Sequence, residues 1–363
     1  MPALQGTENF EHGRVPKVGI LLCNLGTPKA PTVPAVKKYL AEFLSDNRVV
    51  ELSKLLWLPI LHGIILNTRP KKSAKAYESI WTDRGSPLLV FSEGILNKLQ
   101  KKFEAFDDSN LIFRLGMRYG EPSIQTAIND LQKKNIRKIL ILPLYPQYAS
   151  ATTASVYDAV FDYFKTQRWI PELRFASDYH DNPLYISAIA ESIRREWRVG
   201  NRGQHLLFSF HGIPKDTFLA GDPYHCQCHA TTRLVADELG LTDQEWTLTF
   251  QSRFGPKQWL EPYTDKTLEK LGAEGVKNID IVCPGFAVDC LETLEEISIL
   301  NENLFREHGG KAINYIPALN DSTEQISLLS NILERHLSNW DKPLDKTLLE
   351  KSASRAREAG APK

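Results

Sequence analysis

The chain has 363 residues, with 44 Lys+Arg balanced by 44 Asp+Glu, so its formal charge is zero. A zero balance excludes the basic excess on which nucleic-acid binding rests, and no nucleic-acid partner is expected. With 42% hydrophobic and 24% charged residues the chain is globular, and at ~150 residues per domain its length predicts two domains.

The predicted elements alternate in type. Residues 18–22 (VGILL) read as a buried strand. Further apolar runs follow at 111–113, 138–144, 173–175, 205–210, 246–250, 278–283 and 312–316. Continuous apolar runs of this length suit strands covered on both faces, as in parallel sheets. Helical periods lie between them at 123–135, 183–197, 230–239, 264–271, 291–307 and 323–337. Pro122 is read as the permitted proline at the start of the first of these. The alternation predicts right-handed βαβ units. It comes in two blocks, giving an α/β chain of two Rossmann-like domains at 17–175 and 176–340, each with a parallel sheet flanked by helices. Residues 1–16 form a polar extension. Residues 341–363 form a polar tail, frayed helix or disordered.

Residues 55–66, LLWLPILHGIIL from Leu55 to Leu66, are too short to span a bilayer and are broken by Pro59, His62 and Gly63. Five cysteines are too few for a disulfide scaffold, and MPALQGTENFEHGRVPK has no apolar leader core, so a reducing cytoplasm is expected.

Open α/β sheets bind ligands beyond the carboxyl ends of their strands. Neither a G-x-G-x-x-G after the first strand nor a P-loop is present, which removes support for dinucleotide and P-loop chemistry. His211 leaves a buried strand in SFHGIP (209–214) and reads either as a satisfied core or turn histidine or as a base or metal ligand at a cleft. Asp289, Glu292 and Glu296 follow the strand at 278–283. Glu292 and Glu296, at i and i+4, share a helix face. Asp289 also reads as an N-cap with Glu292 as its capping-box partner, and first-turn acids often only complement the helix dipole. If both strand ends face one cleft, a histidine opposes a row of carboxylates. That suits a hydrolase with a His base or a site for a divalent metal. G-x-S-x-G and H-E-x-x-H are both absent, so covalent and zincin-type hydrolysis lack support.

SFHGIP (209–214), GDPY (221–224), QSRFGP (251–256) with Trp259, and DCLETL (289–294) stand in the order found in ferrochelatases. NLGTP (24–28), GMRY (116–119) and LYPQYASATT (144–153) agree with that order. Over residues 17–335 the chain resembles this family. The resemblance implies the chelatase fold and insertion of Fe²⁺ into protoporphyrin IX to form protohaem, the final step of haem biosynthesis. It implies that His211 binds metal or takes pyrrole protons, that Glu292 faces it as a second metal ligand, and that Glu296 lies further along the metal or proton path. Leu25, Arg118, Tyr119 and Trp259 match residues around the macrocycle. Arg69, Tyr77 and Ser86 lie near positions that meet propionates, with the spacing at Arg69 off by a residue or two. Two departures stand out. Cys290 occupies a position where many relatives have His. No cysteine follows Cys290, so a [2Fe–2S] cluster is not expected, nor any permanently bound cofactor; Fe²⁺ is substrate.

These residue types suit the reaction. An imidazole near neutral pKa can remove a proton, and imidazole with carboxylate accepts Fe²⁺ without the tight hold of several thiolates. Residues 55–66 then read either as an ordinary buried segment or as an apolar lip that touches the inner membrane surface, with Trp57 at the interface. His225-Cys-Gln-Cys-His229 is read as a loop with incidental soft ligands, the other reading being a metal site. Two alternatives stay open: a chelatase for coproporphyrin or another tetrapyrrole and metal pair, and a tetrapyrrole-binding carrier without catalysis.

Overall fold

Among the described residues eight strands form, most of them on short Val-, Ile-, Leu- and Phe-rich runs. The fold comes from a computed structural model that describes residues 4–6, 12–104, 110–134, 136–200, 202–340 and 345–361. The extension at 1–16 and the tail at 341–363 therefore lie partly outside the described residues, as does Asn135.

The first four strands are β1 (Lys17–Gly26), β2 (Leu111–Tyr119), β3 (Ile136–Pro143) and β4 (Glu172–Phe175). They pair in parallel in the order β2-β1-β3-β4. The second four are β5 (His205–His211), β6 (Trp246–Gln251), β7 (Asn278–Val282) and β8 (Ala312–Ile316). Their order, β6-β5-β7-β8, repeats the first. No sequence repeat announces this duplication. The largest apolar cluster nevertheless runs through both halves, from Val18 and Ile20 to Phe208, Val282 and Trp340.

The helices bring three corrections. Between β1 and β2 the chain forms helices Val33–Leu44, Lys54–Ile60, Leu66–Ile80 and Pro87–Glu104, with a π-helical turn at Leu61–Ile65. Residues 55–66 are thus not broken: Pro59 lies inside a helix and Gly63 inside the π turn. Pro122 does not start the helix Ile124–Gln132. Ser123 caps it, accepting the Thr126 N–H at 3.1 Å, and Pro122 stands one residue earlier. The segment 225–229 is not a loop but lies in the helix Tyr224–Leu239. Tyr224, Cys228, Thr231, Thr232 and Val235 give that helix a buried stripe at helical spacing, and Asp222 accepts the Tyr224 N–H at 3.0 Å. In the tail, Asp345 caps a helix at Lys346–Glu358. Among the described residues no helix is long and apolar enough to cross a membrane.

Candidate active site

His211 ends β5 and is half-buried. Its Nδ1 lies 2.7 Å from the Gly212 carbonyl oxygen. A carbonyl only accepts, so Nδ1 is the donor of this bond and Nε2 is left out of it. Gly212 is needed for close approach: a Cβ there would stand 3.0 Å from both the Trp259 ring and the Gln251 carbonyl oxygen. The imidazole and Trp259 ring centroids are 6.4 Å apart. Trp259 is buried, donates to the Phe254 carbonyl at 3.0 Å and lies 4.9 Å from the Phe254 ring. Arg69 reaches over Phe254 at 5.7 Å.

Two residues at the end of β6 join this histidine to the acidic segment. Gln251 pairs with His211 across the sheet. Its amide accepts from Ser209 at 2.6 Å and donates to the Glu292 carbonyl at 2.7 Å. Ser252 has a left-handed φ of 66°. That turn aims its N–H at Glu296 Oε1, 2.8 Å away, and its hydroxyl at Oε2. Burial raises the Glu296 pKa. The Ser252 hydroxyl and nearby His211 oppose the rise, while Glu292 adds to it. Glu295 is raised for the same first reason and by Glu296 and Glu292, with Lys72 opposing.

The acidic segment differs from its expected geometry. Glu292–Asn301 is a π-helix, so its turns are wider than the α-helical i, i+4 spacing assumes. Asp289 is not its cap. The buried Asp289 carboxylate accepts from Thr293, Tyr315 and the Asn320 amide at 3.1, 2.5 and 2.7 Å. It thereby ties the start of the π-helix to the loop after β8. Thr293 supplies the cap-like contact, accepting the Cys290 N–H at 3.0 Å.

The opposite wall comes from the first half. Leu25, Gly26, Thr27, Tyr39, Tyr77, Ser86 and Leu88 line, with Cys290, Leu291 and Glu292, a narrow hollow with about 10 Å³ of room for water. Thr27 donates to Ser86 at 2.8 Å, and the Tyr39 and Tyr77 rings meet edge to face at 6.4 Å. Burial, with Glu292 nearby, pushes both phenols well above their ordinary pKa, so they stay neutral. Four expected residues, Leu25, Tyr77, Ser86 and Glu292, therefore share one hollow. His211, Trp259 and Glu296 adjoin it through Gln251 and Ser252, and Arg69 sits over Phe254 at the rim. Arg118 and Tyr119 do not line the hollow. Both bind Asp46, at 2.5 and 2.7 Å, behind the wall. Sequence reading passed over Gln251 and Ser252 as individual actors although QSRFGP marked their strand end. It also passed over Thr27 and Tyr39.

A family model described as "Ferrochelatase" matches residues 17–337. The chain belongs to the ferrochelatase family. It is 50% identical to "Ferrochelatase" of Nitrosococcus oceani over 338 residues, covering 93% of this chain and 92% of the relative. It is also 50% identical to "Ferrochelatase" of a Polaromonas species over 361 residues, covering 98% of each. Among solved structures, the fold is similar to "SirB from Bacillus subtilis with Fe3+", with a TM-score of 0.52 at 12% identity over 89% of this chain and 96% of that one. A cobalt complex of the sirohydrochlorin chelatase SirB, from Bacillus subtilis subspecies spizizenii, gives 0.51 at 10% identity over the same shares. Those likenesses concern the fold alone. Ferrochelatase-family membership sets the activity at the level of metal insertion into a porphyrin. Among the described residues no three His, Cys, Asp or Glu side chains converge closely enough to hold a metal ion. Cys23, Cys228, Cys283 and Cys290 are free and buried, and Cys226 is free and exposed.

Proposed function

We propose that this chain inserts Fe²⁺ into protoporphyrin IX to give protohaem, the closing step of haem biosynthesis and a lyase reaction. One observation carries the reading: His211, Glu292 and Glu296 are joined by the Gln251–Ser252 corner beside a hollow whose other wall is neutral and aromatic. Insertion replaces two pyrrole protons by the metal, so two protons must leave while the ion sheds water. His211 Nε2 is the proton acceptor or a metal ligand, Glu292 the second ligand, and Glu296 an acid on the path. Separate, weak donors suit an ion in transit, since a closed cage would retain it. Leu25, Tyr77 and Ser86 contact the macrocycle, Arg69 and Trp259 sit at its rim, and Arg118 and Tyr119 support the wall.

The hollow has only about 10 Å³ of room for water, far below the roughly 300–1,000 Å³ of pockets that enclose ligands. A tetrapyrrole therefore requires the hollow to open, and the helical arm at 54–80 borders it through Tyr77. On that arm Leu55 is 88% and Leu56 68% exposed, joined by exposed Ile60 and Ile64. Trp57, expected at the interface, is half-buried and donates to the Leu44 carbonyl at 2.6 Å. These exposed leucines and isoleucines form the lip by which a cytoplasmic enzyme touches the inner membrane surface and receives the less polar porphyrin.

Anaerobic mixing of catalytic amounts of the chain with porphyrin and Fe²⁺, followed by absorbance, tests the activity. Many equivalents of protohaem per chain are expected, with protoporphyrin preferred to coproporphyrin. One equivalent or less indicates a carrier, and the reverse preference overturns the substrate. Flotation with anionic vesicles tests the lip. Replacing Leu55 and Leu56 by Ser is expected to abolish flotation; a parent chain that does not float removes the membrane contact, and unchanged flotation of the variant removes the lip.

A further inference from the structure

The chain carries a second group of metal-binding side chains that the porphyrin site does not use. His225 and His229 stand four residues apart on the helix Tyr224–Leu239, so they share one face a turn apart. Their ring centroids are 4.4 Å apart. His229 is exposed and His225 partly so, which leaves the pair open to solvent. His225 is held in place by Phe218, whose ring lies 4.5 Å away, and by the Phe250 ring at 6.0 Å. The helix itself is anchored. Tyr224 and Cys228 are buried, and Gln227 and Thr231 accept hydrogen bonds from Tyr148 and Gln147 of the first half at 2.6 and 3.0 Å. None of the residues lining the porphyrin hollow belongs to this group.

We propose that His225 and His229 form a two-imidazole site for a borderline divalent transition ion, separate from the porphyrin site. Two histidines at i and i+4 on one helix face present their nitrogens to a single ion, as they do in zinc-binding helices. Imidazole suits Zn²⁺, Cu²⁺, Ni²⁺ and Fe²⁺. No third His, Cys, Asp or Glu among the described residues converges on the pair, so water completes the coordination and the ion exchanges freely. The nearby Asp222 is already engaged by the N–H groups of Tyr224 and Ser150. Arg233 lies close enough for its charge to act on His229. That charge disfavours ions held chiefly by electrostatics, such as Mg²⁺ and Ca²⁺, and favours ions with strong bonds to nitrogen. The Irving–Williams order then ranks Cu²⁺ above Ni²⁺ and both above Fe²⁺, so this site selects against the ion the reaction uses.

Calorimetric titration of the full chain with Ni²⁺ alone tests the site, independently of porphyrin insertion. A His211→Ala background removes binding at the reaction centre. One equivalent of Ni²⁺ is expected to remain there and to weaken at least tenfold when His229→Ala is added, with circular dichroism unchanged because His229 is exposed. His225→Gln is expected to act likewise, Cu²⁺ to bind more tightly and Mg²⁺ not to compete. Cys226→Ser is expected to change affinity less than twofold. Absence of that equivalent, or its survival in both histidine variants, overturns the site. Loss of binding in Cys226→Ser overturns its two-imidazole composition.

Discussion

The two halves share a backbone plan and differ in what they place at its matched positions. The N–H groups of Met117 in β2 and Phe250 in β6 donate to the Pro122 and Pro262 carbonyls at 2.6 and 2.8 Å. Asn24 pairs with Met117, and Phe210 pairs with Phe250. By this alignment Leu25 matches His211, Gly26 matches Gly212, Arg118 matches Gln251, and Tyr119 matches Ser252. In each half the last of these holds a carboxylate: Tyr119 bonds Asp46 and Ser252 bonds Glu296. The two acids shift in opposite directions. For Asp46, burial raises the pKa, but hydrogen bonds from Ser155, the Arg48 N–H and Tyr119, with the charge of Arg118, outweigh it and the net shift is downward. At Glu296 burial, with the charge of Glu292, outweighs the Ser252 hydrogen bonds and nearby His211, and the shift is upward. One backbone plan is used twice, with different side chains at its matched positions.

The largest test of that contrast exchanges the matched leucine and histidine for alanine. His211→Ala is expected to lower the insertion rate by about 10²–10⁴-fold, the range for a lost acid–base group. Leu25→Ala is expected to raise KM with less than tenfold change in kcat. Equal losses in steady-state assays would break the division of labour. Next in size, Ser252→Ala removes one hydrogen bond to a charged group, worth about 1.5–3 kcal/mol, and is expected to slow insertion by about ten- to a hundredfold. Its counterpart Tyr119→Phe is expected to lower stability in urea by about 1–3 kcal/mol and leave kcat within threefold. The smallest effect sharpens the acid comparison. Because the Asp46 pKa is lowered on folding, its stabilisation is fully present above the ordinary value of 3.8 and is lost as pH falls through the folded value. Asp46→Asn is therefore expected to be less stable than the parent at pH 7, with the gap closing below about pH 4 in urea titrations. A gap that stays constant to pH 3 contradicts the assignment.

The eight strands were legible because burial on both faces leaves uninterrupted apolar runs such as those in β1 and β3. The helices between β1 and β2 were less so. Lys54–Ile60 has no buried residue, so no apolar stripe sets a period, and Leu66–Ile80 carries Pro70 in its interior. The helix Tyr224–Leu239 was read from residue 230 because its first turns bury Tyr224 and Cys228 rather than aliphatic side chains. Within the site, His211 and Glu292 were legible as polar residues just beyond apolar strands. Ser252 was not, since its role depends on a left-handed turn and a partner 44 positions away. Nor was Asp289, whose partners Tyr315 and Asn320 come from beyond the next strand start. The wider π turn leaves no trace in an apolar pattern read at a period of 3.6.

The apolar interior common to both sheets has a thermodynamic corollary. Each half packs one apolar cluster of its own, but the largest is shared: Val18 and Leu140 belong to the same cluster as Phe208 and Leu329. Cutting the polypeptide between residues 176 and 182 would strand greasy faces on each fragment, and each alone would aggregate. Heated intact, the molecule should melt once, with a calorimetric enthalpy equal to the van't Hoff value.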